Sequence, residues 1–325
     1  MNLKSFFLVA LVALVELVAL AATTACNDST PSRPGADGLV HGDGAADIGI
    51  GDHGTAPDGT IPSDATSDGP VKADKGTQPD QKLTPDGPGP ATIYKPKPGA
   101  TWQWQLTGKL DTTVNAQMYD IDLFDNTAAT IAGLQAKGRV VICYFSAGSY
   151  EDWRPDAKDF PAAVKGSKLD GWNELWLDIR AAAVKTIIGK RLDLAKSKGC
   201  DGVEPDNVDG YDNASGFPLS GADQIAYNSW LAAESHKRGL SVGLKNDLAQ
   251  VKQLQPLFDW ALNEECLQYN ECNLLAPFIT AGKAVFHVEY KPATKAQVCP
   301  KVSSLKFSTL IKNLNLDAWF DACWI

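Results

Sequence analysis

The chain has few of the residues from which many well-known catalytic centres are built. Only four of its 325 residues are histidine, and it contains neither His-Glu-x-x-His nor Cys-x-x-Cys, so nothing indicates a zinc site. It also lacks Gly-x-Ser-x-Gly, which argues against a serine hydrolase of the α/β type. His236 and His287 stand alone, as structural histidines usually do. Carboxylates are left as the main candidates for chemistry, with no metal and no other cofactor expected.

Two further classes of ligand are disfavoured. The chain has no stripe of Lys and Arg, so we expect no nucleic-acid partner. Residues 49–54 read Gly-x-Gly-x-x-Gly, the string of a dinucleotide site. That string needs a strand before it and a helix after it, and neither is indicated here, so we interpret the match as accidental.

Residues 27–95 contain no Trp, no Phe and few large aliphatic side chains, so they cannot bury enough apolar surface to fold. Residues 27–90 hold 11 Asp, no Glu and 4 Lys or Arg, a net charge of −7, whereas the whole chain carries −9. The acidity of the protein therefore belongs mostly to this segment. We interpret residues 26–100 as a disordered Gly/Asp/Pro-rich linker, which precedes a folded domain over residues 101–325.

Residues 1–25 have the layout of an export signal. Lys4 precedes an apolar run over residues 6–22, and Ala25 stands directly before Cys26. This layout predicts a bacterial lipoprotein signal peptide whose removal leaves Cys26 as the lipidated first residue, anchored to a membrane at the cell surface or in the periplasm. Plain secretion is the alternative. A retained transmembrane anchor is disfavoured because the apolar run is short for a bilayer.

With Cys26 assigned to lipid, six cysteines remain in the domain, and an even number in an exported protein favours disulfide bonds. Cys266 and Cys272 are the favoured pair because they lie close together in the sequence. Cys143 lies in an apolar strand-like run and is the best candidate for a buried free thiol.

The domain alternates short apolar runs with amphipathic helical stretches, which is typical of a parallel α/β fold. Helical stretches over 127–137, 181–198 and 221–238 each end just before a Gly, the usual helix stop. Eight strand-like runs in about 225 residues predict a (β/α)8 TIM barrel, with a doubly wound open sheet as the alternative. The runs cover residues 102–106, 116–121, 140–145, 175–179, 202–205, 240–244, 260–263 and 284–288.

Acidic residues gather where these runs end. Residues 202–211 contain Glu204, Asp206 and Asp209, and the alternation of a strand puts Glu204 and Asp206 on one face. Like charges in that arrangement destabilise a fold unless they perform chemistry or bind something. Because the C-terminal strand ends of TIM barrels build the active site, we predict an acidic cavity there, with rim-closing ion pairs as the alternative. Other polar strand ends are Asp120 and Asp122, Tyr144 and Ser146, Asp178 and Arg180, Lys245 and Asn246, Glu264 and Glu265, and Glu289 and Tyr290.

These strand ends resemble those of glycoside hydrolase family 114. The similarity lies in Tyr-Asp-Ile-Asp at 119–122, Cys-Tyr-Phe-Ser-Ala-Gly at 143–148, Trp-Leu-Asp-Ile-Arg at 176–180, Gly-Val-Glu-Pro-Asp-Asn-Val-Asp at 202–209, Leu-Lys-Asn at 244–246 and Asn-Glu-Glu-Cys at 263–266. The resemblance covers nearly all of 101–325. It implies a TIM-like barrel that cleaves within α-1,4-linked galactosamine or N-acetylgalactosamine polysaccharides, with Asp206 and Glu264 as the catalytic pair.

The implied chemistry assigns roles to these two residues. Glycosidic cleavage needs one protonated carboxyl group for the leaving group and one ionised carboxylate that attacks or activates water. Asp206 is short and held at a strand end, which suits a nucleophile, and the longer Glu264 suits the acid/base; the reversed roles stay open. Glu204 is either a buried partner of a cation or a substrate contact. Further candidates for substrate contact are Asp120, Asp122, Tyr144, Asp178, Lys245 and Tyr290.

Trp102, Trp104 and Trp153 are candidates for stacking on sugar rings, because indoles offer flat apolar faces. A tryptophan on the first strand is more often a core residue, so Trp153 is the favoured candidate. An acidic mouth would attract a partly deacetylated, cationic galactosamine chain. Two other functions remain open: an exo-acting α-glycosidase on the same barrel, and a non-catalytic surface lipoprotein that binds carbohydrate. The presence of both Asp206 and Glu264 favours an enzyme, which we expect to be a monomer.

Overall fold

The structure, a computed structural model, describes residues 92–324. The predicted signal peptide, the lipidation site at Cys26 and nearly all of the predicted linker lie outside the described residues. Within residues 92–324, no helix has the length and apolarity that a membrane crossing requires. The backbone carbonyl of Pro96 accepts a hydrogen bond from the amide of Ala284, so contacts with the domain begin before residue 101.

Twelve strands lie among the described residues. They are β1 Trp102–Gln105, β2 Met118–Asp122, β3 Val140–Ser146, β4 Ser149–Glu151, β5 Lys165–Lys168, β6 Glu174–Leu177, β7 Gly202–Asp206, β8 Ser241–Lys245, β9 Trp260–Glu264, β10 Val285–Tyr290, β11 Ser308–Lys312 and β12 Phe320–Ala322. Nine of them form one sheet in the order β1-β2-β3-β7-β8-β9-β10-β11-β12. The first eight run parallel to their neighbours, and β12 is antiparallel to β11.

The eight parallel strands curl into a nearly closed barrel. The indole Nε1 of Trp102 on β1 donates to the carbonyl of Ser308 on β11 at 2.9 Å, and the amide of Leu106 donates to the carbonyl of Leu316 at 2.9 Å. These bonds bring the first and the eighth parallel strand together. The predicted TIM-barrel fold class is therefore confirmed.

One predicted barrel strand was assigned wrongly. The run at 175–179 overlaps β6, which lies between β4 and β5 in a separate three-stranded antiparallel sheet. The eighth barrel strand is β11, which was not predicted. Both errors have the same cause, because a short apolar run reveals a strand but not its sheet, and β11 contains the polar residues Ser308, Thr309 and Lys312.

Helices cover the outside of the barrel. They are α1 Ala128–Gln135, α2 Ala182–Lys198, α3 Gly221–Lys237, α4 Val251–Leu254, α5 Ala276–Thr280 and α6 Lys295–Val302. The predicted helical stretches match α1, α2 and α3 to within two residues at each end. The Ser220 hydroxyl and the Asp223 side chain form a capping box at the start of α3. Gly199 ends α2 at φ 85°, a left-handed conformation that suits glycine.

Two apolar layers stabilise this architecture. One lies between the sheet and the helices, and the other fills the barrel interior with Trp102, Trp104, Trp260 and Phe286 among its members. The rings of Trp102 and Phe286 lie 4.8 Å apart between centroids. Trp102 and Trp104 are buried, which confirms the favoured interpretation of the first-strand tryptophans as core residues and excludes them as stacking platforms here.

Three disulfide bonds join the six cysteines: Cys143–Cys200, Cys266–Cys272 and Cys299–Cys323. The local pair was predicted correctly. The prediction of a free thiol at Cys143 was wrong, because β3 and β7 are neighbours in the sheet and Cys200 lies just before β7. That neighbourhood brings two cysteines 57 positions apart within bonding distance.

The interior packing leaves no room for a side chain at Gly243 on β8. A Cβ atom there would lie 2.3 Å from Cζ3 of Trp260 and 2.4 Å from its Cη2. The glycine thus allows the large indole to occupy the barrel interior.

We expect Gly243→Ala to lower the free energy of unfolding by about 1–3 kcal/mol, because the ring or the strand must shift to admit the methyl group. Urea unfolding under non-reducing conditions measures this. Gly133→Ala is the matched control, since nothing lies within 4 Å of a Cβ on that exposed helical residue, and it should be neutral or stabilising by up to about 1 kcal/mol. Equal stability of Gly243→Ala and wild type would contradict the proposed packing role.

Candidate active site

The C-terminal ends of neighbouring barrel strands converge on one cluster of polar side chains. Since parallel strands end at the same edge of a sheet, residues distant in sequence meet there. We call this set the Lys245 cluster: Tyr144 on β3, Glu204 and Asp206 on β7, Lys245 on β8, Glu264 on β9 and Tyr290 on β10. All six were among the predicted site residues, and the structure brings them together.

The ammonium group of Lys245 lies at the centre of the cluster. Its Nζ is 2.8 Å from Oδ1 of Asp206, 3.1 Å from Oε2 of Glu264 and 3.4 Å from Oε1 of Glu204. It also lies 5.1 Å from the ring centroid of Trp104, within the range of a cation–π contact. The lysine side chain is only 2% exposed, so these groups replace nearly all of its hydration.

The charge of Lys245 is stabilised by its neighbours. Burial by itself works against the ammonium form, but the carboxylates of Asp206, Glu264 and Glu204 raise the pKa of Lys245 well above its ordinary value. Lys245 therefore stays a cation, and it is the counter-charge that permits several acids to share one small volume.

Asp206 is in contact with three donors. Besides Lys245, its Oδ2 accepts a hydrogen bond from the Tyr144 hydroxyl at 3.0 Å, and its Oδ1 accepts one from the amide of Asn207 at 2.7 Å. Burial, followed by the charge of Asp206, raises the pKa of Tyr144 well above its ordinary value, so the phenol stays a donor. These bonds fix the carboxylate in a single orientation.

Glu264 has a different set of partners. The Tyr290 hydroxyl donates to Oε1, and the amide nitrogen Nδ2 of Asn246 donates to Oε2 at 3.3 Å. The backbone amide of Glu264 donates to the Asn246 side-chain oxygen at 3.1 Å, which also fixes the end of β9. The Glu264 side chain is 26% exposed against 17% for Asp206, so it is the more open of the two.

Strained backbone follows each of the three strands that carry the charged groups. Asn207 after β7, Asn246 after β8 and Glu265 after β9 all have a positive φ, between 48° and 59°. Non-glycine residues adopt this conformation at a cost of order 1–3 kcal/mol, and such residues concentrate at functional sites. Sequence analysis did not assign Asn207 or Asn246 to the site, although two asparagines directly after acidic or basic strand ends are a usable signal.

Two acids in this part of the barrel are completely buried, Asp120 on β2 and Glu204 of the Lys245 cluster. The indole Nε1 of Trp104 donates to Oε2 of Glu204 at 3.0 Å. Because Asp120, Glu204 and Lys245 are closed off from solvent, none of the three is open to a bound polymer in this structure. Of the two predicted roles for Glu204, the buried partner of a cation agrees with its contact to Lys245.

The other two predicted site residues lie in separate ion pairs. Asp122 pairs with Arg154 at 2.7 Å, and Asp178 pairs with Arg180 at 2.8 Å. Asp178 follows β6 in the small sheet and not a barrel strand. Among the described residues, no hydrogen bond or ion pair joins either acid to Lys245, so the alternative of rim ion pairs describes their contacts here.

A further acid next to the cluster was noticed in the sequence but not assigned to the site. Burial and then the charge of Asp206 raise the pKa of Asp209 to about 6. Burial likewise raises the pKa of Glu174 to about 7, and its carboxylate accepts a hydrogen bond from Ser149. Ser149 in turn contacts Ser146 at the end of β3, so this hydrogen-bond network supports that end of the strand.

One group of donor atoms in the described part of the chain has the spacing of a metal site. The sulfur atoms of Cys266 and Cys272 and a ring nitrogen of His287 lie within 4.8 Å of one another. The two sulfurs form a disulfide bond and so offer no thiolate. The His287 Nε2 contacts Glu289 at 2.9 Å. These residues therefore support the loop after Glu264.

Comparison with known proteins agrees with this geometry. The sequence profile of glycoside-hydrolase family GH114 matches residues 84–325, about three quarters of the chain. The chain belongs to family GH114. It is accordingly a glycoside hydrolase, as the resemblance of its strand ends implied. No curated protein sequence matches the chain.

Two solved structures are similar to this GH114 chain. Aspergillus fumigatus Ega3, in complex with galactosamine, is 47% identical, with a TM-score of 0.69 over 73% of this chain and 100% of that chain. The glycoside hydrolase domain of PelA from Pseudomonas aeruginosa is 13% identical, with a TM-score of 0.57 over 68% of this chain and 98% of that chain. The second likeness shows a shared fold.

We expect Lys245→Met to lower the free energy of unfolding by about 3–5 kcal/mol, because it leaves buried carboxylates without their counter-charge. The difference in free energy of unfolding between wild type and Lys245→Met should become smaller as the pH is lowered, since protonation removes the repulsion between those carboxylates. Urea unfolding at several pH values measures both effects. Lys252→Met on an exposed position is the control. A deficit that stayed constant from acidic to neutral pH would show that the loss comes from packing and not from charge.

Proposed function

We propose that this protein is an endo-acting hydrolase of α-1,4-linked galactosamine or N-acetylgalactosamine polysaccharides, and that Asp206 and Glu264 form its catalytic pair. The observation that carries the proposal is the contact of both carboxylates with the single ammonium group of Lys245 at the mouth of the barrel. Membership of GH114 and the 47% identity to Ega3, crystallised with galactosamine, support the substrate class.

Asp206 is proposed as the nucleophile. Three donors hold its carboxyl group in one orientation, which is what an attacking carboxylate needs. Attack of its oxygen on the anomeric carbon forms a glycosyl–enzyme bond while the bond to the leaving oxygen breaks.

Glu264 is proposed as the acid/base. In its acid form it gives its proton to the leaving oxygen, and it then takes a proton from the water that releases the sugar from Asp206. Its greater exposure supports this role, because it must reach both the leaving group and water. While Glu264 is protonated, Lys245 remains paired with Asp206, so the nucleophile keeps its counter-charge.

We propose a retaining mechanism, with which the spacing of the two groups is compatible. Since each has an oxygen in contact with Lys245 Nζ, at 2.8 and 3.1 Å, these two oxygens lie within about 6 Å of each other. Retaining glycosidases have carboxyl groups about 5–5.5 Å apart, whereas inverting ones need roughly 6.5–9.5 Å to fit a water molecule.

The charge at the barrel mouth supports a cationic substrate. Asp206, Glu264, Glu265 and the more enclosed Asp209 lie at the ends of β7 and β9, so their field attracts protonated amino sugars. For stacking on sugar rings, Trp153 at 44% exposure and Trp319 at 39% exposure present accessible indoles. Product length distinguishes the endo-acting enzyme from an exo-acting one, because only the former releases oligosaccharides of several lengths at early times.

Export and anchoring remain part of the proposal. The charged start, the apolar run over 6–22 and the Ala25-Cys26 pair support a lipid anchor at Cys26. We expect labelled fatty acid to be incorporated by the wild-type protein and not by Cys26→Ala, as judged after gel separation. Equal labelling of both proteins would contradict the anchor.

For the catalytic pair, we expect Asp206→Asn and Glu264→Gln each to reduce hydrolysis of soluble, partly deacetylated polygalactosamine on the order of a thousandfold or more. The double variant should lose little more than either single one, because the two groups act together. Turnover is measured by released reducing ends, and proton NMR of early products reports the anomeric configuration.

Asp193→Asn is the matched control, because that acid pairs with Arg238 on the helical surface. It should keep wild-type turnover. Thermal unfolding of all variants verifies that each is folded. A folded Asp206→Asn or Glu264→Gln enzyme with near wild-type turnover would contradict the assignment.

A further inference from the structure

Asp120 and Glu204 form a carboxyl pair one layer deeper in the barrel than the catalytic groups. Glu204 lies two residues before Asp206 on the same strand, so both side chains point into the barrel. Asp120 and Glu204 lie close enough to interact electrostatically, and both are completely closed to solvent. Asp120 lies beside Trp104 in the β1–β2 register.

The partners of Asp120 make this pair unusual. Neither of its oxygens receives a hydrogen bond from an N–H or hydroxyl group. Its polar contact is the carboxyl group of Glu204, which accepts from Trp104 and lies 3.4 Å from Lys245. A buried carboxylate without donors is costly, and two touching carboxylates that are both ionised repel strongly. One proton between them changes that repulsion into a charge-assisted hydrogen bond.

The charges around Lys245 give this proton a consequence. If Glu204 were ionised, three carboxylates would compete for a single ammonium group. If Glu204 carries a proton, the ammonium charge is left to Asp206 and Glu264. The groups facing the pair are Trp104 on β1, Tyr144 on β3, Asp206 on β7, Lys245 on β8, Glu264 on β9 and Tyr290 on β10.

We propose that Asp120 and Glu204 hold at least one shared proton and act as positioning residues. With Glu204 protonated, the ammonium group of Lys245 pairs with Asp206 and Glu264 alone. The inference rests on the proposed function, since it concerns the same catalytic pair. Neither residue touches substrate. Both act through Lys245.

The direction of proton binding agrees with the geometry. Burial raises the pKa of Asp120 to about 7, and burial together with the charge of Asp120 raises that of Glu204 well above its ordinary value. Raised carboxyl pKa values mean that the folded state holds these protons at pH values where the unfolded chain has released them. Ionisation of Glu204 at high pH should weaken the contacts of Lys245 with the catalytic groups.

The test uses the full-length protein and two amide variants with opposite expected effects. Glu204→Gln copies the protonated acid, so it should lose less kcat at neutral pH than Asp120→Asn and shift the alkaline limb of its pH profile upward. Asp120→Asn supplies a donor that lets Glu204 ionise, so it should lower kcat at neutral pH by about tenfold. The double variant removes the competing charge again and should recover most of the loss of Asp120→Asn.

Infrared spectroscopy tests the proton itself, independently of activity. At about pH 8 the wild type should show the carbonyl stretch of a buried protonated carboxyl group, and Glu204→Gln should lack it. Asp193→Asn is the control that should keep both the band and the turnover, and thermal unfolding verifies that the variants are folded. Because this spectrum needs only the wild type and Glu204→Gln, it tests the shared proton even if Asp120→Asn does not fold.

Each outcome has a distinct meaning. Absence of the band in the wild type would overturn the shared proton. A band in the wild type, combined with no recovery of activity in the double variant over Asp120→Asn, would overturn the positioning role. A third outcome separates the two proposals. If the wild type does not cleave polygalactosamine, but shows the band and Glu204→Gln lacks it, the proposed function is contradicted and the shared proton is supported.

Discussion

A single buried ammonium group is the constraint on which the mouth of this barrel depends. Three carboxyl groups lie within 3.4 Å of Lys245 Nζ, and without that cation they could not share a space so far from water. Together with Lys245 they come from three adjacent strands, β7, β8 and β9, so the barrel must keep its register for the charges to balance. The apolar interior below contributes directly, since the indole of Trp104 contacts both Lys245 and Glu204.

The backbone holds the same arrangement at a cost. Asn207, Asn246 and Glu265 adopt left-handed conformations at the points where β7, β8 and β9 end. The backbone amide of Asn207 donates a hydrogen bond to Asp206, and the side-chain amide of Asn246 donates one to Glu264. The strained backbone therefore fixes the orientation of the reacting groups. The disulfide Cys266–Cys272 fixes the loop that follows Glu264.

Much of the site could be predicted because its signal is local. Glu204 and Asp206 are two positions apart on one strand, and Lys245 and Glu264 each follow an apolar run, so strand alternation and barrel geometry place them together. The predictions that were wrong concern strand neighbours and burial depth, which depend on how the whole sheet is assembled. The run at 175–179 is as apolar as a barrel strand but pairs in the small sheet, and β11 is too polar to be recognised. The Cys143–Cys200 bond depended on which strand lies beside β3, and burial of Asp120 depended on how deep the Trp104 layer lies.

The interior plug of Trp102, Trp104, Trp260 and Phe286 has a consequence for the movement of protons. These rings fill the barrel beneath Asp120 and Glu204, and all four are buried. Hydrocarbon and indole carbon offer no sites for proton hopping, so the floor of the barrel insulates the two acids from solvent on that side. Among the described residues, the polar groups through which the deep carboxyl pair can exchange protons therefore lie on the other side, around Lys245 and Asp206.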